Sequence, residues 1–401
     1  MEKNVSPVNP RRQERRRPAI LVVCMVDSIH VARWLQQFKD EKYDFHIFPS
    51  GPNRKIHARL RDLAASKSDA SFNFHRTAKF NLLIWLADKC LRGSVRRLLL
   101  SRYVKLVNPD FVHAIEFQQA GYLSMSALQA QIGENLPLMV TNWGSDIFWF
   151  RRFPVHEKKI RKLLGMAKYY SAECERDVLL ARNHGFNGTA FPVIPNAGGI
   201  NVVSTRERTD YNQSRNLVSI KGYDGWVGRA GAALMALPLL KVELANLKII
   251  VFSANLKTRV LAWWIQQRHR IEIIVHSKNA LSHFQVQEIF RKSLVYVGVS
   301  ESDGISTSML EAMASGAIPV QTATACCKEW FVETGVQIDR IDSASVAAAI
   351  TRGLQLARNE ENQRRNIEII EERASVEKVK AAAIAQYQTI LKARDRVASV
   401  S

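Results

Sequence analysis

The pattern that most constrains this chain occurs twice: short, fully apolar runs alternate with longer segments of helical period. The first series starts at residue 19 with "AILVVCMV" and continues through "YDFHIFP", "PDFVHAI" and "PLMVTNW", with "HVARWLQQF" and "GYLSMSALQAQ" as helices among them. The second starts near residue 216 with "NLVSIKG", "LKIIVFS", "IEIIVHS", "LVYVGVS" and "AIPVQT". Between its strands lie "RAGAALMALPLL", "KTRVLAWWIQQ" and "HFQVQEIFRKS". Runs without polar alternation are strands buried on both faces, and strand–helix alternation makes a parallel, doubly wound sheet. Two such series predict two α/β domains, over 19–200 and 201–375, joined through the polar stretch "PNAGGINVVSTRERTDYNQSRN". Helical character from Ser343 to Ala393 closes the chain, with a last helix over 376–401 expected to pack back toward the first domain. Residues 1–18 form a basic, Pro-bearing tail expected to be disordered.

Charge narrows the partners. The 57 Lys and Arg against 37 Asp and Glu give a net charge of +20. That excess calls for an anion: nucleic acid, anionic lipid or a phosphorylated small molecule. No helix-turn-helix or aromatic RNP motif accompanies the charge, so nucleic acid is not expected. The five cysteines are scattered with no CxxC spacing, so neither a disulfide framework nor a zinc site follows, and a reducing compartment is the default. Adjacent Cys326 and Cys327 read as buried small residues rather than a redox pair. No apolar run approaches the ~20 residues that span a bilayer.

Open parallel sheets bind ligands beyond the carboxyl ends of their strands, so post-strand residues have first claim on chemistry. In "SESDGISTSMLEAMASGAIPV" (300–320) a strand runs into a turn and then a helix closed by Gly316 and Pro319. The helix start offers free N–H groups and partial positive charge to an anion. Glu311 lies about five residues in, roughly 7 Å along the axis, a span like that from a nucleotide's phosphates to its ribose. On this reading a diphosphate sits near Ser306 and Thr307, Glu311 takes ribose hydroxyls, and Asp303 and Gly304 face whatever the diphosphate carries. The plain alternative makes Asp303 a helix cap and Glu311 a solvated helix residue.

That stretch resembles the signature of glycosyltransferase family 4: Glu, seven residues, Glu, then "AMA-G-PV", with Asp303 standing for the first Glu. "DSIHVARWL" (27–35), "NPDFVHAIEFQQAGYL" (108–123), "NWGSDIFWF" (142–150), "YYSAECERDVLLARNHGF" (169–186), "IPNAGG" (194–199) and "IKGYDGWVGRAGAALMAL" (220–237) follow in the order of a bacterial surface-polysaccharide branch. The resemblance covers about nine tenths of the chain. It implies the GT-B fold, two Rossmann-like domains facing across a cleft, and transfer of a sugar with retention. The donor the resemblance implies is a nucleotide-diphosphate sugar, with uridine diphosphate favoured by family frequency. The acceptor it implies is a saccharide or lipid-linked saccharide of lipopolysaccharide, O-antigen or capsule assembly.

The resemblance also implies roles. The family's Gly-Arg and Lys-Gly appear here as Lys221-Gly222 and Gly228-Arg229, so Lys221 and Arg229 bring cations to the diphosphate. His113 stands at the family's His-bearing strand end, with Ile115 where a second His often stands. His30, Arg33, Glu116 and Asp146 follow strands and become cleft or acceptor candidates; the plain readings are a surface Arg and an Asx-turn. Glu173 and Arg176 read as a structural pair at a helix start, with contact to ligand as the alternative, and Asn196 as a hinge residue. The loop "VHSKNALSH" (275–283) and Asp303 are expected to set the donor. No cofactor and no metal are implied: Lys221, Arg229 and the helix start near Ser306 would stabilise the diphosphate charge, no DxD follows a strand and the histidines are dispersed. The leaving phosphate takes the acceptor's proton, so no protein base is obligatory.

Residues 74–105 hold Arg76, Lys79, Lys89, Arg92, Arg96, Arg97, Arg102 and Lys105 against Asp88, interleaved with Leu83, Trp85, Leu86, Leu98 and Leu99. A second basic group, Arg151, Arg152, Lys158, Lys159, Arg161 and Lys162, is assigned to the same domain. Such a surface suits an anionic membrane, which places the protein in the cytoplasm, peripheral on the inner leaflet. Two rivals stay open: a GT-B epimerase or phosphorylase, and a nucleotide-binding scaffold that has lost turnover.

Overall fold

The structure, a computed structural model, describes residues 17–51, 55–78, 80–91, 93–129, 136–202 and 215–398. The basic tail up to residue 16, Lys79, Arg92 and most of the polar join (203–214) lie outside the described residues. Contacts divide the chain into two compact units: Met1–Val140 with Met166–Tyr169 and Ile384–Ser401, and Thr141–Gly165 with Tyr170–Ala383.

The expected apolar runs form strands. In the first series these are β1 (Ala19–Cys24), β2 (Asp44–Pro49), β4 (Phe111–Ile115) and β5 (Leu138–Thr141), joined by the short β3 (Ser71–Phe74), β6 (Tyr169–Ser171) and β7 (Thr189–Ala190). Their order is β3-β2-β1-β4-β5-β6-β7, with β1 parallel to both β2 and β4. The second sheet comprises β8 (Leu217–Lys221), β9 (Lys248–Ala254), β10 (Ile273–Ser277), β11 (Ser293–Gly298), β12 (Ile318–Thr322) and β13 (Val336–Ile338). Its order is β10-β9-β8-β11-β12-β13, all parallel. In each sheet the strand order reverses direction beside the first strand, the doubly wound arrangement the alternation predicts.

Burial explains the lack of polar alternation in these strands. In β11, Val295 and Val297 pack with Val218, Ile220 and Leu234 on one face, while Tyr296 packs with Phe252, Phe290, Met309 and Met313 on the other. In the first unit Trp34, Phe38, Phe45, Phe111 and Tyr387 are fully buried, with the Phe38 and Tyr387 rings stacked at 4.4 Å. Tyr387 belongs to the helix Val376–Ala398, whose residues from Ile384 onward group with the first unit.

By contacts, residues 141–165 and 170–200 group with the second unit rather than with the first 140 residues. The reason lies in a few short segments. The turn after β5 and the start of the helix Glu175–Asn183 meet residues 302–304 and 324–329, and all of these belong to the second unit. The basic group Arg151–Lys162 therefore lies in the second unit, not with residues 74–105.

Candidate active site

Lys221 ends β8, and Gly222 must follow it without a side chain. A Cβ there would stand 2.7 Å from Val251 Cγ1 and 2.9 Å from the Phe252 carbonyl oxygen, to which the Gly222 N–H donates at 2.7 Å. This close packing turns the chain sharply and leaves the Lys221 ammonium at the carboxyl end of the sheet. Its Nζ lies 3.4 Å from Ser306 Oγ, the residue preceding the helix Thr307–Ala314. Burial pushes the Lys221 pKa down, but Tyr296, Asp303, Glu311 and Tyr223 outweigh it and hold the value above the ordinary lysine range. The ammonium stays charged.

Ser306 does not cap its own helix. Its hydroxyl turns instead to Lys221 and to the Tyr296 hydroxyl at 3.2 Å. The N–H groups of this first turn thus begin beside a lysine ammonium, a combination suited to an anion. Thr307 opens the helix and is half-buried. Farther along, Glu311 is bound by His283 Nε2 at 2.9 Å. His283 begins the helix His283–Lys292 and ends the loop read from sequence as donor-setting. Gly316, with φ of 79°, closes the Thr307–Ala314 helix as its position predicts.

Asp303 sits in the turn after β11, its N–H donating to the Thr324 carbonyl at 3.3 Å. Burial raises its pKa against the opposing pull of Lys221, the Gly304 N–H and Arg176. Gly304 allows this turn to meet the turn after β5: a Cβ on Gly144 would lie 2.2 Å from the Gly304 nitrogen. Ser145 and Ser302 hydroxyls join the same two turns at 2.9 Å.

Arg176 holds this arrangement from below. Its guanidinium donates to the carbonyls of Asp303 at 2.9 Å and Thr324 at 2.7 Å, pairs with Asp177 at 2.8 Å, and lies over the Phe148 ring at 3.9 Å. The expected Glu173–Arg176 pair is therefore corrected: the carboxylate partner of Arg176 is Asp177. Glu173 instead accepts backbone N–H groups of Gly144 and Asn196, and burial together with Asp303 and Asp177 raises its pKa to about 8. Asn196 is buried among Ser171 and Asn142.

Arg229 is placed differently from Lys221. Its guanidinium makes two contacts with the Glu301 carboxylate, at 2.9 and 2.8 Å, and donates to the carbonyls of Gly225 and Gly228 at 2.7 Å each. It closes the loop 222–229 and its charge is matched by Glu301. Asp146 is buried, and its carboxylate accepts the Trp143 N–H at 2.9 Å, the local turn that the plainer reading gives.

The remaining candidates belong to the first unit. His113 lies inside β4, fully buried, with Nδ1 2.8 Å from the Tyr387 hydroxyl and Trp34 at its ring edge. Burial lowers its pKa to about 3, so the ring is neutral. As placed, it is a core histidine, because a mid-strand position faces the aromatic core and not the strand end. Glu116 follows β4 with φ of 76°, and its carboxylate accepts the N–H groups of Gln119, at 2.8 Å, and of Ala120. Burial raises its pKa to about 7 against those bonds. A non-glycine residue held in that region is a strained position of the kind found at functional sites. His30 and Arg33 are half-buried on the helix Ile29–Gln36, where Ser28 caps the His30 N–H at 3.2 Å.

Sequence reasoning missed Tyr296, Glu301, His283 as a partner of Glu311, and the clamping role of Arg176. Glu301 carried a signal, standing two residues before Asp303 in the same turn. For that clamping role Arg176 carried none, since the carbonyls it holds are far away in sequence.

Residues 19–173 match the family described as glycosyl transferase 4-like. No curated protein matches the chain by sequence. Among solved structures, the fold is like that of a sucrose-phosphate synthase from Thermosynechococcus elongatus (TM-score 0.65, 13% identity), over 94% of this chain and 100% of that one. It is also like a glycosyltransferase from Rickettsia africae ESF-5 (TM-score 0.64, 14% identity), with the same two coverages. An α,α-trehalose-phosphate synthase (UDP-forming) from Burkholderia vietnamiensis shares it at TM-score 0.68 and 11% identity, again over 94% and 100%. At these identities the likeness is one of fold, and that fold is GT-B.

Proposed function

We propose that this chain, a glycosyltransferase of GT-B type with a glycosyl transferase 4-like domain, moves a sugar from a uridine diphosphate donor to a hydroxyl of a saccharide or lipid-linked saccharide, with retention, in cell-surface polysaccharide assembly. The observation that carries the reading is the meeting of the Lys221 ammonium with Ser306 at the start of the helix Thr307–Ala314. A charged ammonium and a helix start aimed at one point stabilise the negative charge that grows on a departing diphosphate. Glu311 takes the ribose hydroxyls, and Asp303 accepts hydrogen bonds from the transferred sugar. The oxocarbenium-like centre left by departure is attacked on the same face, and the leaving phosphate takes the acceptor's proton. Arg229 contributes by fixing the loop 222–229. The choice of uridine is supported by the likeness in fold to trehalose-phosphate synthases that are UDP-forming. No metal or cofactor enters this scheme.

A membrane partner is part of the proposal. The helix Asn81–Cys90 exposes Leu82, Leu83 and Leu86, with Phe80 and Leu91 at its ends, and Lys89 lies 4.1 Å over the Trp85 ring. Exposed apolar side chains beside cations suit the surface of an anionic leaflet. Among the described residues no helix is long and apolar enough to cross a membrane. The test of the reaction is release of nucleoside diphosphate from uridine diphosphate sugars in the presence of saccharide acceptors. Release with a glycosylated product supports transfer; tight nucleotide binding without release favours the inactive scaffold, and an isomerised or phosphorylated sugar favours the rival enzymes.

A further inference from the structure

Two cysteines far apart in sequence meet in the second unit. Cys174 Sγ and Cys326 Sγ lie 3.0 Å apart, and both residues are buried. Cys174 precedes the helix Glu175–Asn183, and Cys326 is held with φ of 49° between two short 3-10 turns. Glu329 is the third group at this spot, the three ligand atoms lying within 4.8 Å of one another.

The surroundings decide between a metal and a disulfide. Two sulfurs on one tetrahedral zinc, each at about 2.3 Å, stand about 3.7 Å apart, well beyond the distance here. The Glu329 carboxylate is already engaged, accepting the N–H groups of Glu175 at 2.9 Å and Arg176 at 3.3 Å as a cap on the helix. The positive end of that helix and the Arg176 guanidinium disfavour a cation, while the Cys326 contact, burial and Asp177 keep the Cys174 sulfur a thiol, its pKa held well above the usual range. We propose that Cys174 and Cys326 are a site of reversible oxidation and close to an intramolecular disulfide when the protein meets a peroxide.

Cys326 is the slightly exposed member and reacts first. Its sulfur attacks one peroxide oxygen, the O–O bond breaks, and one water leaves, giving a sulfenic acid. The sulfur of Cys174, in hydrogen-bond contact with Cys326, displaces the second water as its proton leaves and forms the S–S bond. Two thiols lose two electrons and two protons, and hydrogen peroxide becomes two waters. A thiol reductant reverses the step by exchange.

The bond joins two segments that hold Asp303. The Thr324 carbonyl, two residues before Cys326, accepts from the Asp303 N–H and from Arg176, two residues after Cys174. Oxidation thus ties the loop 322–327 to the helix start that clamps Asp303.

The test uses the full chain, treated with stoichiometric hydrogen peroxide, alkylated under denaturing conditions and digested for mass spectrometry. The expected result is a crosslinked Cys174–Cys326 peptide, loss of two of the five thiols, recovery with dithiothreitol, and slower hydrogen exchange over 322–329 in the oxidised form. Cys326→Ser and Cys174→Ala should each abolish the crosslink, and Cys327→Ser should leave it. A crosslink through Cys327, five thiols still free after treatment, or a stoichiometric zinc ion that protects both thiols would overturn the proposal.

Discussion

A Cβ on Gly144 would stand 2.2 Å from the backbone nitrogen of Gly304, and one on Gly304 would stand 2.9 Å from Gly144 Cα. Two turns separated by about 160 residues thus touch backbone to backbone, and Asp303 is fixed by that contact. Gly144→Ala and Gly304→Ala should each destabilise the protein by about 1–3 kcal/mol, the usual scale for overpacking. Gly165→Ala, where a Cβ meets nothing within 4 Å on the helix Pro154–Met166, should be neutral or slightly stabilising. Denaturant midpoints of the three variants check this; equal effects would contradict the contact.

Glu173 makes stability depend on pH in a set direction. Its pKa in the fold is raised to about 8, by burial first and then by Asp303 and Asp177. A raised value means the folded state keeps the proton longer than the unfolded chain. The contribution is full below the unfolded carboxyl pKa of about 4.3 and is lost as pH rises toward 8, at no more than about 1.4 kcal/mol per pH unit. Glu173→Gln, which cannot ionise, should flatten this fall. Thermal melts of the variant between pH 5 and 8 that keep the wild-type slope would show that Glu173 is not its source.

Lys221 and Arg229 should behave differently on substitution. Under the proposed reaction Lys221→Ala removes the cation that would stabilise the leaving group and should lower kcat by about 10²–10³. Arg229 acts through Glu301, so Arg229→Ala, Glu301→Ala and the double variant should lose activity to about the same extent. Additive losses in that cycle would mean that Arg229 touches the diphosphate itself.

The exposed leucines of the helix Asn81–Cys90 should govern binding to lipid. Leu83→Ser with Leu86→Ser should reduce sedimentation with anionic phosphatidylglycerol vesicles and leave melting unchanged, because both side chains face solvent. Binding of the wild type should weaken as salt rises from 0.05 to about 0.5 M. Equal sedimentation of wild type and variant would remove this helix from the proposal.

The strands that matter for the site were readable because their runs are long and uninterrupted; β6, β7 and β13 were not, since two or three residues carry no period. Lys221 and Ser306 were readable as candidates because they stand at a strand end and just before a helix start, and Glu311 because its spacing into the same helix is a local pattern. Arg176 was not, because what it binds are carbonyls 127 and 148 residues away. For the same reason the partner of Cys326 was hidden: the neighbour in sequence is Cys327, but the neighbour in space is Cys174. His113 was assigned to a strand end by resemblance, and the register of β4 puts it in the aromatic core.

The central claim is that Glu311, Lys221 and the start of the helix Thr307–Ala314 bind a nucleoside diphosphate, and calorimetric titration tests it most directly. Wild type, Glu311→Ala and His283→Ala would each be titrated with uridine, guanosine and adenosine diphosphates. The account predicts binding of uridine diphosphate, weakened at least tenfold in Glu311→Ala, about 1.4 kcal/mol, and changed far less in His283→Ala. Unchanged affinity for every nucleotide in Glu311→Ala would contradict it.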